Sequence, residues 1–270
     1  MSTPAEGDDA RLGVAAFFDV DNTIIRGASS FHIARSMRKH GFFTHRDILR
    51  FGFEQAKYQL FGETDEQMEV LKRDAAKIIR GWSVAEMAAI GEGVWDEVLA
   101  TRVYPGTKAL IDDHVAKGHE VWLVTATPSE VGQIIASKMG ATGALGTEAE
   151  HKDGYYTGVL LGGFLHGPRK VLAITDLAAA RGIDLSASYA YGDSSNDVPM
   201  LKAVGHPCAV NPDSKMKRAA RAHGWPVKEF RNRRKSGRRG VVKASITGSV
   251  WVVLAVLRGI KSALLRPFRR

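Results

Sequence analysis

The sequence predicts an α/β protein built on a doubly wound parallel sheet, with an inserted α-helical unit and a basic amphipathic helix at the C-terminus. Three observations carry that prediction. An apolar run from Val14 to Phe18 ends in two aspartates, Asp19 and Asp21, as a buried strand does at the edge of a sheet. Residues 26–102 show helical periodicity without strand alternation. Residues 103–230 then alternate helix with strand, the pattern of a parallel sheet flanked by helices.

In chain order, the first strand gives way to apolar positions at helical spacing, among them Phe31, Ala34 and Met37, then Leu49, Phe53 and Leu60, then Leu71, Ala75 and Ile78, then Met87, Ile90, Val94 and Val98. Glycines at 41, 62, 81 and 91 punctuate the segment, so roughly four helices are expected before Tyr104-Pro105-Gly106 closes the insert. A helix over 107–117 leads through Gly118 to a strand over 120–125, which stops at Thr125-Ala126-Thr127-Pro128. A helix over 129–139 follows, and residues 144–161 read as a short strand and a hairpin turning at Lys152-Asp153-Gly154. A helix over 169–181 precedes the strand 189–191, which ends in Gly192-Asp193-Ser194-Ser195-Asn196-Asp197 with a helix starting near Val198. A strand over 207–210 and a helix over 213–223 complete this region. The expected organisation is a disordered segment 1–12, a core from 13–25 and 103–230, a helical cap 26–102, and a basic tail 231–270.

A chain of 270 residues with 44% hydrophobic side chains can bury a full core. Its single cysteine, Cys208, excludes an internal disulfide framework and fits a reducing compartment. Met1 to Arg11 is polar and carries Glu6, Asp8 and Asp9, so no signal peptide is expected and the cytoplasm is the expected location. The net charge of +9 is unevenly placed. Residues 231–270 hold twelve Lys and Arg and no acid, while the 230 residues before them hold 26 basic and 29 acidic groups. The body is mildly acidic and the tail strongly basic.

Like charges two residues apart raise each other's pKa, so Asp19 and Asp21 call for a metal ion, a proton-transfer role, or both. A solvated turn after a strand is the plain alternative. Three strand ends carry polar groups of matching character: Asp19 with Asp21, Thr125, and Asp193 with Asp197. A doubly wound sheet brings those ends to one edge, and Lys170, opening the helix before the Asp193 strand, can bring a positive charge there. Taken singly, Thr125 could be a helix cap, Lys170 a solvated residue, and Asp193 and Asp197 loop and capping residues. Together they form a site for a divalent cation and a phosphate.

These residues resemble the four motifs of the haloacid dehalogenase superfamily: Asp19-Val20-Asp21-Asn22-Thr23, Val124-Thr125, Lys170, and Gly192-Asp193-Ser194-Ser195-Asn196-Asp197. The resemblance covers about residues 13–230, and the helical insert directly after the first motif looks like the cap of subfamily IB, which contains the phosphoserine phosphatases. It implies a Rossmann-like core and a Mg²⁺-dependent phosphomonoesterase. In that scheme Asp19 attacks phosphorus and Asp21 serves as general acid and then base. Asp19, the main-chain carbonyl of Asp21, and Asp193 hold Mg²⁺. Thr125 and the amides near Ala126 bind phosphoryl oxygens, Lys170 compensates charge on Asp19 and the phosphate, and Asn196 and Asp197 position these groups. The second aspartate favours phosphoryl transfer over carbon–halogen cleavage. Phosphoserine phosphatases typically carry a glutamate several residues after the nucleophile, whereas residues 26–32 here contain no acid.

In the tail, residues 231–243 hold seven Lys and Arg, 244–257 is an uncharged stretch, and 258–270 hold five more. A helix of that uncharged length spans about 21 Å against a hydrocarbon core of about 30 Å, and both flanks are basic. An in-plane amphipathic anchor on an anionic membrane surface is the expectation, with a short spanning helix, a partner helix or a disordered basic tail as alternatives. No nucleic-acid partner is expected, since no recognisable module accompanies the arginines. Three functions follow: a phosphatase of a small phosphoserine-like metabolite, a phosphatase of a lipid-linked phosphate such as lysophosphatidate or phosphatidylglycerophosphate, and a non-catalytic phosphate-binding module recruited to membrane.

Overall fold

A computed structural model describes residues 13–29, 32, 33, 36 and 79–231 of the chain. The expectations for residues 1–12, for most of the helical insert and for the tail after Arg231 lie outside the described residues.

Six parallel strands form the sheet, in the order β3-β2-β1-β6-β7-β8. They are β1 (Ala15–Asp19), β2 (Glu120–Pro128), β3 (Gly143–Thr147), β6 (Tyr189–Gly192), β7 (His206–Val210) and β8 (Val227–Lys228). A separate antiparallel hairpin, β4 (Ala149–Lys152) and β5 (Tyr155–Leu160), sits between β3 and the next helix. The strand β1 is central and entirely buried, which is why its sequence is a continuous apolar run rather than an alternation. Its side chains still divide between the two faces.

Ala16 and Phe18 join one core with Ile111 of α2 (Pro105–Ala116) and Val131, Ile135 and Met139 of α3 (Ser129–Met139). Ala15 and Phe17 join the other. That second core holds Ile174 and Ala178 of α4 (Pro168–Arg181), Met200 and Leu201 of α5 (Val198–Lys202), and Met216 and Ala220 of α6 (Ser214–His223). The sheet is therefore wound on both sides, and each helix contributes an apolar stripe.

Helix α1 (Val84–Val94) is fastened to this body. Ser83 and Glu86 form a reciprocal cap, Glu86 N–H to Ser83 Oγ at 3.0 Å and Ser83 N–H to Glu86 Oε2 at 2.9 Å, which fixes where the helix begins. Met87, Ile90 and Val94 enter the same core as α3. The two helices approach closely at Gly91, where a Cβ would stand 2.8 Å from Ile134 Cδ1. Just before α1, Gly81 N–H bonds Tyr156 O and Tyr156 N–H bonds Trp82 O, both at 2.8 Å, so the chain enters α1 along the hairpin.

The structure differs from the sequence reading in two local ways. Strand β2 runs on to Pro128, since Pro128 pairs in register with Thr147 of β3. Strand β8, too short to show a period, adds an edge by pairing Ala209 with Val227 and Val210 with Lys228.

Candidate active site

The strand order places β1 between β2 and β6, so Asp19 has Val124 as its register neighbour on one side, and Phe18 has Tyr191 on the other. The C-terminal ends of these three strands carry Asp19, Thr125 and Asp193 to one edge, as the sheet topology requires. Asp19, Asp193 and Asp197 each offer a carboxylate oxygen within 4.8 Å of the others.

Lys170 joins them from α4. Its Nζ donates to Asp19 Oδ1 at 2.6 Å and to Asp197 Oδ1 at 2.7 Å, with only 3% of the lysine exposed. Asp197 is fixed in turn: its Oδ2 accepts from the Ser194 N–H at 3.1 Å and the Ser194 hydroxyl at 3.0 Å. The short 3₁₀ turn Ser195–Asp197 thus folds its own carboxylate back toward the sheet edge. Gly192 makes room for that return, since a Cβ there would lie 2.5 Å from Asp197 Cβ.

Three buried acids meet one lysine, and the imbalance shows in the protonation of Asp19 and Asp193. Burial pushes Asp19 up to about 7, helped by the charge of Asp197 and opposed by Lys170. Burial, Asp19 and Asp197 push Asp193 up to about 9. Lys170 is held above the usual lysine range: burial works against its charge, but the two carboxylates outweigh it. With the acids ionised, the cluster carries negative charge that no described side chain compensates. An all-oxygen donor set of this kind suits a hard divalent cation such as Mg²⁺.

Asp21 lies two residues on, across a tight turn. Asn22 adopts φ 61°, a conformation asparagine tolerates better than most residues. Its N–H bonds Ile25 O at 2.7 Å, and its Oδ1 accepts from Gly27 N–H at 3.0 Å. The Asp21 Oδ1 accepts from Ser29 N–H at 2.8 Å. Burial raises the Asp21 carboxyl, and Ser29 opposes that rise through both its hydroxyl and its N–H.

Thr125 is buried at the end of the β2 apolar run, its hydroxyl 3.1 Å from that of Thr127 and accepting the Thr127 N–H at 3.2 Å. Ala126 is exposed beside it, with its carbonyl taken by the Thr147 hydroxyl at 2.8 Å. Asn196 is exposed on the Ser195–Asp197 turn, at the same edge as the carboxylates but outside their hydrogen-bond network.

Several contributors were not identified from sequence. Ser29 touches Asp21 from eight residues away with no motif to announce it. Asp213 reaches the site through its N–H, which bonds Asp193 O at 2.8 Å. Asn211 is wholly buried at φ 47°, donating through Nδ2 to Asn22 O at 3.0 Å and accepting through Oδ1 from Phe230 N–H at 2.7 Å and Arg231 N–H at 3.2 Å. The run Asn211-Pro212-Asp213 directly after a strand was the available signal, because it is turn chemistry at the sheet edge that carries Asp19 and Asp193.

Residues 16–202 match the family model described as haloacid dehalogenase-like hydrolase. The chain is 45% identical over 247 residues, 91% of its own length and 80% of the other's, to phosphoserine phosphatase SerB1 of Mycobacterium tuberculosis. It is 29% identical over 226 residues to a histidinol-phosphatase of Neisseria meningitidis, covering 80% of this chain and 98% of that one. Among solved structures, a protein of unknown function from Bordetella pertussis superposes with a TM-score of 0.71 at 29% identity, over 82% of this chain and all of the other.

Proposed function

The chain belongs to the haloacid dehalogenase-like hydrolases and is a phosphoserine phosphatase-like phosphatase, and from that premise we propose a Mg²⁺-dependent phosphomonoesterase that works through an aspartyl-phosphate on Asp19. The observation that carries the reading is the Lys170 bridge between Asp19 and Asp197 beside Asp193. It fixes the rotation of the Asp19 carboxylate, so that the nucleophile is held in place before substrate arrives.

Asp19, Asp193 and the main-chain carbonyl of Asp21 would hold Mg²⁺, with Asp197 behind them on Lys170. The ion supplies positive charge that lets an anionic nucleophile approach an anionic phosphate. Asp19 forms the bond to phosphorus as the ester oxygen leaves. Asp21, whose carboxyl is raised by burial, gives its proton to that oxygen and later takes one from the water that releases phosphate. Lys170 remains on Asp19 and neutralises part of the charge that gathers there. Thr125, the amides near Ala126, and Asn196 surround the phosphoryl oxygens; the Thr125 hydroxyl exchanges Thr127 for substrate.

The substrate class is a small phosphate monoester. A histidinol phosphate-like ester stands beside phosphoserine, since the relatives named above carry both activities in their names and residues 26–32 lack the acid that phosphoserine phosphatases typically use. Replacement of Asp19 by Asn tests the mechanism. Turnover of phosphoserine, histidinol phosphate and p-nitrophenyl phosphate with Mg²⁺ is expected to vanish; turnover equal to the unaltered protein would sink it.

A second reading rests on the tail. Twelve basic residues after position 230 and the uncharged stretch 244–257 favour peripheral attachment to an anionic membrane on the cytoplasmic side, which would bring lipid-linked phosphates such as lysophosphatidate within reach. Among the described residues no helix is long and apolar enough to cross a membrane. Co-sedimentation with vesicles containing phosphatidylserine is expected and should weaken at high salt. Equal recovery with neutral vesicles, or with none, would remove this reading and leave the small-ester reading untouched.

A further inference from the structure

Helix α6 differs from the other helices in what its solvent side carries. Met216 and Ala220 face the core, and Lys215, Lys217, Arg218 and Arg221 stand exposed around the rest of its surface. Between Ser214 and Arg231 there are six Lys and Arg and one acid, Glu229. That acid is already shared, by Lys217 Nζ at 2.8 Å and Arg231 Nη2 at 3.1 Å. Elsewhere on the body exposed cations are paired, Lys117 with Asp113, Lys138 with Glu92 and Arg181 with Glu120. Lys215, Arg218 and Arg221 have no carboxylate partner among the described residues. Arg218 lies three residues from each of the other two, and like charges at that spacing on a helix repel. The fold bears this repulsion, and an anionic surface laid against the helix would relieve it.

Two further observations identify the surface. Apolar groups border the charges: Val227 is 47% exposed, Pro226 is exposed beside it, and α6 ends at an open groove walled by Leu201, Lys202, Trp225 and Pro226. Basic and apolar surface side by side suits the interfacial layer of a membrane, where apolar groups enter between headgroups while Lys and Arg meet lipid phosphates. A nucleic-acid backbone would use the cations alone. The tail also leaves from this place. Arg231 Nη2 donates to Pro212 O at 2.9 Å, so the chain carrying the basic residues and the uncharged stretch 244–257 departs beside the start of α6.

We propose that the exposed face of α6 docks the folded body on an anionic lipid surface. The proposal rests on the membrane attachment read above from the tail, and adds the face by which the core is held. Helix α6 begins next to Asp213, whose N–H bonds Asp193 O at 2.8 Å, and its ten residues span about 15 Å. A docked α6 therefore keeps the sheet edge with Asp19 and Asp193 beside the headgroups, within reach of a phosphate ester borne by a lipid.

The test uses the full-length chain and vesicles of phosphatidylcholine containing phosphatidylserine. Neutralising Lys215, Arg218 and Arg221 together to Gln is expected to weaken co-sedimentation by about tenfold or more, since each cation near the surface contributes to the attraction. Neutralising Lys117, Lys138 and Lys152, which are exposed on α2, α3 and the hairpin, removes the same charge and should change it less than about twofold. Hydrolysis of p-nitrophenyl phosphate in free solution should be the same for both triple variants and the unaltered chain. A polarity-sensitive fluorophore gives a second readout, because Cys208, the chain's own thiol, is buried. Attached at Ala222→Cys, on the exposed side of α6, its emission should shift to the blue on adding vesicles; attached at Ala116→Cys, on the other side of the sheet, it should not. Equal losses in the two triple variants, or a probe at 222 no bluer than one at 116, would overturn the proposal while leaving the tail's attachment intact. A probe at 222 that responds to duplex DNA and not to vesicles would overturn it in favour of a nucleic-acid face. If the unaltered chain does not sediment with these vesicles, the attachment read from the tail fails and the docking face falls with it.

Discussion

Lys170 Nζ stands 2.6 Å from Asp19 Oδ1 although the two residues are 151 positions apart in the chain. The contact joins β1 to α4, and the same ammonium donates to Asp197 Oδ1 at 2.7 Å. Replacing Lys170 with Met leaves three buried carboxylates without a counter-charge. Turnover is expected to fall by at least about a hundredfold, and stability by about 3–5 kcal/mol, the usual consequence of stripping one partner from a buried ion pair. Urea unfolding and steady-state kinetics would check both.

The same imbalance sets how the metal-free protein responds to pH. Asp19 and Asp193 hold protons in the folded state up to about 7 and about 9, against 3.8 when unfolded. The folded chain therefore binds more protons across that window, and metal-free stability should fall as pH rises through it. Mg²⁺ should flatten the slope and raise the midpoint, by about 2.7 kcal/mol of stability at a hundred times its dissociation constant. Calorimetry with EDTA and with Mg²⁺ at pH 6 and pH 8.5 would show it. A midpoint indifferent to Mg²⁺ at both values would remove the metal from this site.

His114 works in the opposite direction. It is buried on α2, with Nε2 2.8 Å from the Tyr191 hydroxyl and Nδ1 2.9 Å from His119 Nδ1. Burial, reinforced by His119, pulls its value from 6.5 down to about 4. Between those values the unfolded chain takes a proton that the folded chain refuses. The contribution is intact above pH 6.5 and is lost as pH falls toward 4, at no more than about 1.4 kcal/mol per pH unit. His114→Gln should lower stability at pH 7.5 yet show a shallower decline between pH 6.5 and 5, measured by urea midpoints.

At Gly192 the limit is space. A methyl there would sit 2.5 Å from Asp197 Cβ and 2.9 Å from its Cγ, so Gly192→Ala must push away the carboxylate that shares Lys170 with Asp19. Turnover should drop by about tenfold or more while Thr125 and the β2 side of the site stay in place. Unchanged kcat would mean that the position of Asp197 is unimportant.

Much of this architecture was legible because its signals are local. The apolar run into Asp19, the stop at Thr125-Ala126-Thr127-Pro128, and Gly192-Asp193 after a short strand each mark a strand end, and parallel topology brings such ends together. The helical spacing of Met87, Ile90 and Val94 likewise marks α1. Other features depend on contacts between distant parts of the chain. Ser29 bonds Asp21 because the Asn22 turn reverses the chain, and nothing in the composition of residues 26–29 signals it. Strand β8 has two residues, fewer than any period needs. The attachment of α1 to α3 follows from a small residue, Gly91, facing Ile134, which a helical pattern alone does not reveal.

Asn211 gives the site an unexpected mechanical address. One side chain grips the carbonyl of Asn22 on the turn after Asp19 and the amides of Phe230 and Arg231, at the root of the basic tail. Phe230 is wedged tightly enough that a Cβ on Gly106 would lie 2.2 Å from its ring. A pull on the chain beyond Arg231 is thereby delivered to Asn22, three residues from Asp19. Fusions, tethers and immobilisation chemistry on this protein should leave Phe230 and Arg231 slack, because a load applied there is a load on the turn between Asp19 and Ser29.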